Sequence, residues 1–261
     1  MSLVITNPTN SSQRNLIKLS TNQLNKTPFL KQKIKGSKNS CGKGRKKSVV
    51  ARKKGGGVKR NLRQIDFCKN LNSTGLVVSL EYDPKRTSYI VAIFDFLKYE
   101  YFYKIAPENL QIGDIIQTGK SAALKLGHTL KFDKIPVGTL VHNLVINKKS
   151  KISRAAGCFS LIFNKTIKHV GIQSSSGKKR YFSLNSFATV GIVSNKLHFL
   201  KTLGKAGRAR WLNKKQSVRG VAKNPVDHYN GGGEGKKSGV SRKKWRTKTG
   251  QNKNLLAINN Y

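Results

Sequence analysis

Residues 88–96 read Ser-Tyr-Ile-Val-Ala-Ile-Phe-Asp-Phe, SYIVAIFDF. Ile90, Val91 and Ile93 are β-branched, and Tyr89, Phe94 and Phe96 are aromatic. Such residues fit a pleated, packed surface, and the run predicts a β-strand. Asp83-Pro84 before it and Ala106-Pro107 after it mark breaks, because proline pushes the residue ahead of it out of the helical region. Working outward, similar runs predict strands at 76–82, 99–105 and 128–132. A second series follows at 139–146, 157–164, 169–172, 180–183 and 188–193, with a hairpin turn at 174–177. Strand signals this closely spaced, with turn residues between them, predict a mainly β protein built of two small barrels. Residues 132–137, with Ile135-Pro136, form the expected hinge. Each half then has about 65–70 residues, a size at which burial is marginal. The halves are expected to support each other or a partner. No long helix and no internal repeat is visible.

Charge frames this body. The chain of 261 residues carries 52 Lys and Arg against 10 Asp and Glu, a net +42. Residues 1–65 hold +17 with no acid, 66–200 hold +11, and 201–261 hold +14. The reading is a moderately basic body, 61–132 and 133–200, between basic extensions at 1–60 and 201–261. Those extensions are too polar to bury a core of their own and are expected to be disordered without a polyanion. Self-repulsion at +42 opposes a compact state unless a polyanion neutralises it. Nucleic acid is the first candidate and an anionic membrane surface the second. No run approaches the length of a membrane-spanning helix, and the basic stretches lack an amphipathic stripe. The start of the chain reads as neither a secretory signal nor a good transit peptide.

Two glycine loops sit among these cations. Gly55, Gly56 and Gly57 lie between Arg45, Arg52 and Lys53-Lys54 on one side and Lys59, Arg60 and Arg63 on the other. Val218–Gly235 reads VRGVAKNPVDHYNGGGEG and contains Arg219, Asn224, Asp227, His228, Gly231, Gly232 and Gly233. Ahead of it stands GKAGRARW, with Lys205, Arg208, Arg210 and Trp211. Glycine permits tight bends and close backbone approach. A flexible surface loop is the simple reading; the arginine- and tryptophan-bearing flanks favour a polyanion.

Other chemistry is sparse. Cys41, Cys68 and Cys158 form no CxxC and read as free thiols of a reducing compartment. His128, His142, His169, His198 and His228 show no metal-ligand spacing, and the first three read as structural residues. Asp227-His228 is an adjacent acid–base pair, so a general-base role is chemically open. No nucleophile accompanies it, and a loop-holding role is favoured. Trp211 and Trp245 could stack on bases or pack under the tail.

Seven collinear motifs then carry a resemblance. They are GGGVKRNLRQIDF at 55–67, LEYDPKRTSYI at 80–90, IPVGTLVHNL at 135–144, SRAAG at 153–157, ATVGIVSN at 188–195, GKAGRARWL at 204–212, and the loop at 218–235. Over about residues 42–250 the chain resembles the universal large-subunit ribosomal protein L-two family. That resemblance implies an OB-like barrel, then an SH3-like barrel, with long basic N- and C-terminal extensions inserted into rRNA. It also implies that the Asp227-His228 loop lies near the peptidyl-transferase region. Departures are specific: Tyr229 and Asn230 replace a proline and a second histidine, Lys53 and Val58 replace histidines flanking the first glycine loop, and Ala155 replaces a serine.

The expected function is therefore a structural rRNA-binding constituent of a large ribosomal subunit, with no catalytic residue. Its expected contacts are Arg154 and the residues named in the two glycine loops and the GKAGRARW segment. Expected partners are large-subunit rRNA and neighbouring ribosomal proteins, with no small-molecule substrate and no cofactor beyond Mg2+ held by the RNA. Abundant Asn, Lys and Ile suggest a mitochondrial, organelle-encoded ribosome in the matrix, with a plastid or other ribosome as the alternative. The competing classes are an RNA-processing enzyme using His228 as base and a histone-like DNA compactor.

Overall fold

The computed structural model describes residues 2–44, 47–67, 72–119, 122–146, 149–228 and 230–233. The chain forms two units, 1–213 and 214–261. The first unit is mainly β.

Short strands open it: β1 Leu3–Ile5, β2 Ile17–Leu19, β3 Ile34–Ser37 and β4 Arg60–Arg63. β1 pairs with β2 and β3 with β4, both antiparallel. A second group follows: β5 Ser73–Glu81, β6 Ile90–Asp95, β7 Glu100–Ile105, β8 Ile115–Thr118 and β9 Thr129–Lys131. The last group is β10 Leu140–His142, β11 Leu144–Ile146, β12 Lys149–Ile152, β13 Ser160–Lys165, β14 His169–Ser174, β15 Lys179–Ser183 and β16 Phe187–Val190. One ten-stranded sheet runs β15-β14-β13-β10-β16-β9-β8-β5-β6-β7. Its pairings are antiparallel except β8 with β9, which meet at Thr118 and Thr129.

The opening stretch forms β6, and its composition has a physical reason. Ile90, Val91, Ala92 and Ile93 are all fully buried. Val91 and Ile93 enter one core with Val77, Tyr89, Leu110 and Ile116. Ile90 and Ala92, on the other face, enter a second core with Ile65, Tyr103, Ile105 and Val193. A strand covered on both faces needs a continuous apolar run. Each buried Ile or Val contributes about 1.5–3 kcal/mol, and Ile93→Ala should cost about 2–5 kcal/mol. β5 instead alternates: Gly75, Val77, Ser79 and Glu81 are the buried positions.

A third core gathers Leu130, Phe132, Ile135, Val141, Leu144, Ile162, Val170, Ile172 and Ala188. It begins at Ala122, ahead of the hinge expected at 132–137, because β9 pairs with β16 over three residues and sends Leu130 inward. The strand expected at 139–146 is two strands, β10 and β11. Asn143 between them takes a left-handed φ of 51°, and the chain turns there.

The N-terminal stretch departs from the expected free extension. Leu16 and Leu24 are buried, and Leu24 joins the core of Val77 and Ile93. The backbone N–H of Phe29 donates to Glu81 Oε1 at 2.9 Å, and that of Leu30 to the Tyr103 hydroxyl at 2.9 Å. Few apolar residues suffice because they enter a core that the body supplies.

Among the described residues, no helix is long and apolar enough to cross a membrane.

Candidate nucleic-acid interface

The first glycine loop is fastened to the segment after the helix α1, Ala206–Trp211. Gly55 N–H donates to the carbonyl of Asn213 at 2.7 Å. Gly57 has φ +65°, and a Cβ there would fall on the Asn213 side chain. A Cβ on Gly56 would lie 2.6 Å from Cys41 Sγ. The close approach these glycines permit is thus made to the chain itself. The result joins two motifs far apart in sequence: Gly55, Gly56 and Gly57 with Lys205, Arg208, Arg210 and Trp211.

Helix α1 carries the cations. Lys205 precedes it in extended conformation, and its ammonium sits over the Trp211 ring at 5.2 Å. Trp211 is 70% exposed, so the indole is open to solvent and to a stacking base. The Arg208 guanidinium donates to the Leu203 carbonyl at 2.9 Å, which holds it, while Arg210 is exposed. Arg52 and Lys59 are exposed too.

A second basic cluster lies on the turn between β5 and β6. The Phe67 ring has the Arg86 guanidinium 5.3 Å from its centroid and that of Arg154 5.2 Å away. Each guanidinium is attracted to the ring electrons, and the two repel each other. Burial pulls Arg86 below its ordinary guanidinium value; Asp83 opposes this and Arg154 adds to it. Asp83 Oδ2 lies 3.3 Å from Arg86 Nε. Local hydrogen bonds fix the geometry. Ala156 N–H donates to Thr87 Oγ1 at 3.1 Å, and Asn195 Nδ2 donates to the Thr87 carbonyl at 2.6 Å. Arg60 donates to the Pro84 carbonyl at 3.2 Å. Two guanidiniums gathered on one ring concentrate positive charge suited to a phosphate oxygen. Sequence reading singled out Arg154 and Arg60 but passed over Arg86; its signal was Lys85-Arg86 directly after the Asp-Pro turn.

Arg63 differs from the other expected contacts. It is 4% exposed, and its guanidinium donates to the Asn61 carbonyl at 3.3 Å. In β4 it turns inward, so this cation is not presented on the surface.

The second unit is described at 214–228 and 230–233. Asp227 and His228 N–H both donate to the Asn224 carbonyl, at 3.0 and 3.2 Å. Gly231 N–H donates to the His228 carbonyl at 2.8 Å, and Gly232 N–H to the Lys223 carbonyl at 3.2 Å. The loop therefore curls on itself. A Cβ on Gly231 would strike the backbone carbonyls of Lys223 and Asn224; on Gly220 it would strike the His228 ring. Gly232 has φ +77°, where a side chain is strained. His228 Nδ1 accepts the Asn230 backbone N–H at 3.1 Å. A nitrogen that accepts this hydrogen bond is occupied by the loop, which favours the structural role over proton transfer. Arg219, Asn224, Asp227 and Gly233 are exposed. Arg45, Cys68, Tyr229, Glu234, Gly235 and Trp245 lie outside the described residues.

His142 in β10 and His128 just ahead of β9 behave as structural groups, whereas His169 in β14 is exposed. His142 Nδ1 lies 2.9 Å from the Gly191 carbonyl, and His128 bridges the carbonyls of Ala123 and Ile115 at 3.0 and 3.1 Å. Among the described residues, no three His, Cys, Asp or Glu side chains gather as a metal site.

A β body with clustered, backbone-anchored cations and an exposed, cation-bearing indole defines a nucleic-acid-binding protein. Comparison with known proteins refines this class. Residues 30–118 match the family model described as Ribosomal Proteins L2, RNA binding N-terminal domain, and residues 125–250 match Ribosomal Proteins L2, C-terminal domain. The large ribosomal subunit protein uL2 of Methylorubrum extorquens is 41% identical over 243 residues, spanning 92% of this chain and 87% of that protein. Its counterpart in Wolbachia pipientis subsp. Culex pipiens is 39% identical over 241 residues, 92% of this chain and 88% of that one. That of Caulobacter vibrioides is 38% identical over 241 residues, with 92% and 86% covered. The chain belongs to the L2 family of ribosomal proteins.

Proposed function

We propose that this chain is a structural, rRNA-binding constituent of a large ribosomal subunit and not an enzyme. The observation that carries the reading is identity of 38–41% across 92% of the chain to proteins named large ribosomal subunit protein uL2. The charge of +42 supplies the affinity, since Lys and Arg contacts to phosphate position a protein without reading sequence. Recognition then comes from RNA shape, splayed bases and 2′-hydroxyls.

In this reading residues 61–132 form an OB-like barrel and 133–200 an SH3-like barrel, between extensions at 1–60 and 201–261. The RNA contacts are the exposed cations of both glycine-loop regions, with Arg86 and Arg154 at the Phe67 bracket. The loop of Asp227 and His228 supports the peptidyl-transferase region by shape. Neighbouring ribosomal proteins and RNA-held Mg2+ complete the surroundings. A mitochondrial ribosome is the favoured setting, on the chain's richness in Asn, Lys and Ile; a plastid or other ribosome is the alternative.

The test is a salt titration of the full chain on its cognate rRNA domain and on random RNA. Binding to both should weaken steeply, since even 6–10 phosphate contacts lose about 10³–10⁵ in affinity between 50 and 200 mM salt. Cognate binding should persist where random RNA is released, and Arg86→Gln with Arg154→Gln should weaken it. Equal salt sensitivity for both RNAs would reduce the chain to a nonspecific polycation.

A further inference from the structure

The inward face of β13, β14 and β15 changes character partway along. Alternate residues of a strand share a face. On β13 that face carries Ile162 and then Ser160, on β14 Ile172 and then Ser174, and on β15 Phe182 and then Arg180. Ile162, Ile172 and Phe182 belong to the core that also holds Leu144. The register sets Ser160 across from Ser174 and Ile172 across from Arg180. Hydroxyls and a guanidinium thus take the places where the sheet would go on burying apolar side chains. Polar residues at core-facing positions work against a fold unless they serve a function.

What these residues line is a cavity of about 320 Å³. That is the small end of the range for ligand pockets, about 300–1,000 Å³. Leu144, Ile172 and Phe182 give it an apolar floor, and Ser153, Cys158 and Ser160 stand in its wall. Ser153 is held at a left-handed φ of 52°, and its hydroxyl lies 2.6 Å from that of Ser160. At the rim the Ser174 hydroxyl lies 3.0 Å from that of Ser176, and Lys178 and Arg180 are exposed. No carboxylate is among the described residues that line the cavity, and the sequence has no Asp or Glu from 134 to 226.

We infer that this cavity takes one unstacked nucleotide of the RNA, with its base on the Ile172–Phe182 floor and its phosphate at Lys178 and Arg180. Charge selects an anion, because no acid nearby in the sequence offsets the two cations. The apolar floor selects an anion that carries a flat apolar body, which inorganic phosphate lacks. A serine hydroxyl both donates and accepts, so the wall and rim can meet the mixed edge of a base. A guanidinium suits phosphate oxygens. RNA is recognised outside its helices by bases splayed out and bonded along their edges. A cavity of this size admits one such base and is too small for a helix or strand of a partner protein.

The inference rests on the ribosomal reading, and the experiment separates the two. Cys158, a free thiol in the cavity wall, is a native probe. The full chain, alone and bound to its cognate rRNA domain, is treated with iodoacetamide, and alkylation is read on the Cys158 peptide. The RNA of the same complex is probed with dimethyl sulfate and a carbodiimide, which together report on all four bases. Cys158 should react in the free chain and about tenfold more slowly in the complex, the scale of one stacked base. A single nucleotide should be protected by the wild-type chain. It should become reactive with Cys158→Phe, which fills the cavity, and with Lys178→Glu plus Arg180→Glu, whose exposed positions leave the cores intact. Failure to hold the rRNA domain at salt that frees random RNA would remove the ribosomal reading and this inference with it. In a complex that does hold, equal alkylation with and without RNA, or a nucleotide pattern that neither variant alters, would overturn the inference alone.

Discussion

The phenolic oxygen of Tyr103 lies 3.1 Å from each carboxylate oxygen of Glu81, deep between β7 and β5. Tyr103 donates its hydrogen to that carboxylate and accepts the Leu30 N–H at 2.9 Å. Glu81 also takes the Phe29 N–H at 2.9 Å and the Ser79 hydroxyl at 3.2 Å. One buried anion thus ties the N-terminal segment to the sheet.

Tyr103→Phe should cost about 1–3 kcal/mol, because it leaves the Leu30 N–H without this acceptor and the buried carboxylate short of a donor. Hydrogen exchange should quicken at Leu30 while the amides of β14 keep their protection. Uniform loss of protection, or none, would contradict the clamp. Burial, with Glu81 adding, pushes the Tyr103 hydroxyl up to about 12 from 10.0. The sign follows: its contribution is fully present below pH 10 and is lost as pH rises from 10 towards 12.

Lys104 gives the opposite trend. Burial lowers it to about 8 from 10.5, against the pull of Asp66 and Asp95, and its ammonium donates to Thr118. Between those values the unfolded chain holds a proton that the folded chain has released, so stability rises with pH from 8 to 10.5. Denaturation of wild type and Lys104→Met should show the difference moving in favour of wild type by about 3 kcal/mol between pH 7 and 10.5. A difference independent of pH would contradict the buried ammonium. The many exposed lysines are common to both chains and cancel.

Much of the body was legible because its signals are local. SYIVAIFDF reads as a strand from its β-branched and aromatic residues alone, and β5, β7, β9 and β13 to β16 each overlap an expected run. The strands that escaped are short, polar or both, and include β1, β2 and β3 in the stretch expected to be a free extension. β4, RNLR, is held by its register with β3; β12, KSKI, carries two lysines; β8, IIQT, has only four residues. The site divided likewise. Exposed cations and glycines were readable from composition, whereas the inward turn of Arg63 and the bracket of Arg86 and Arg154 on Phe67 depend on tertiary contacts. The glycines of 55–57 were recognised as close-approach residues, but their partner, Asn213, could not be read from sequence.

Two glycines separate strain in the body from failure of the loop. Gly177 has φ +79° with open space around its Cβ position, so Gly177→Ala should cost only left-handed strain, about 1–2 kcal/mol. It should leave incorporation into subunits intact. Gly231→Ala drives a methyl onto two backbone carbonyls that cannot swing aside; it should leave the body's melting unchanged and block incorporation. Normal incorporation of Gly231→Ala would remove the argument for a shape-fitted loop.

His228 is expected to hold this loop and not to move protons. Gln offers a carbonyl oxygen that can take the Asn230 N–H, so assembled subunits with His228→Gln should form peptide bonds at nearly the wild-type rate. A slowing of about 10²-fold or more, the scale of losing a general base, would contradict this.

Residence in a large ribosomal subunit is measured directly by sedimentation of the native full chain after a high-salt wash. The chain should remain in the large-subunit peak, one copy per subunit, under salt that strips it from random RNA. Release to the top of the gradient under that wash would contradict residence in the subunit.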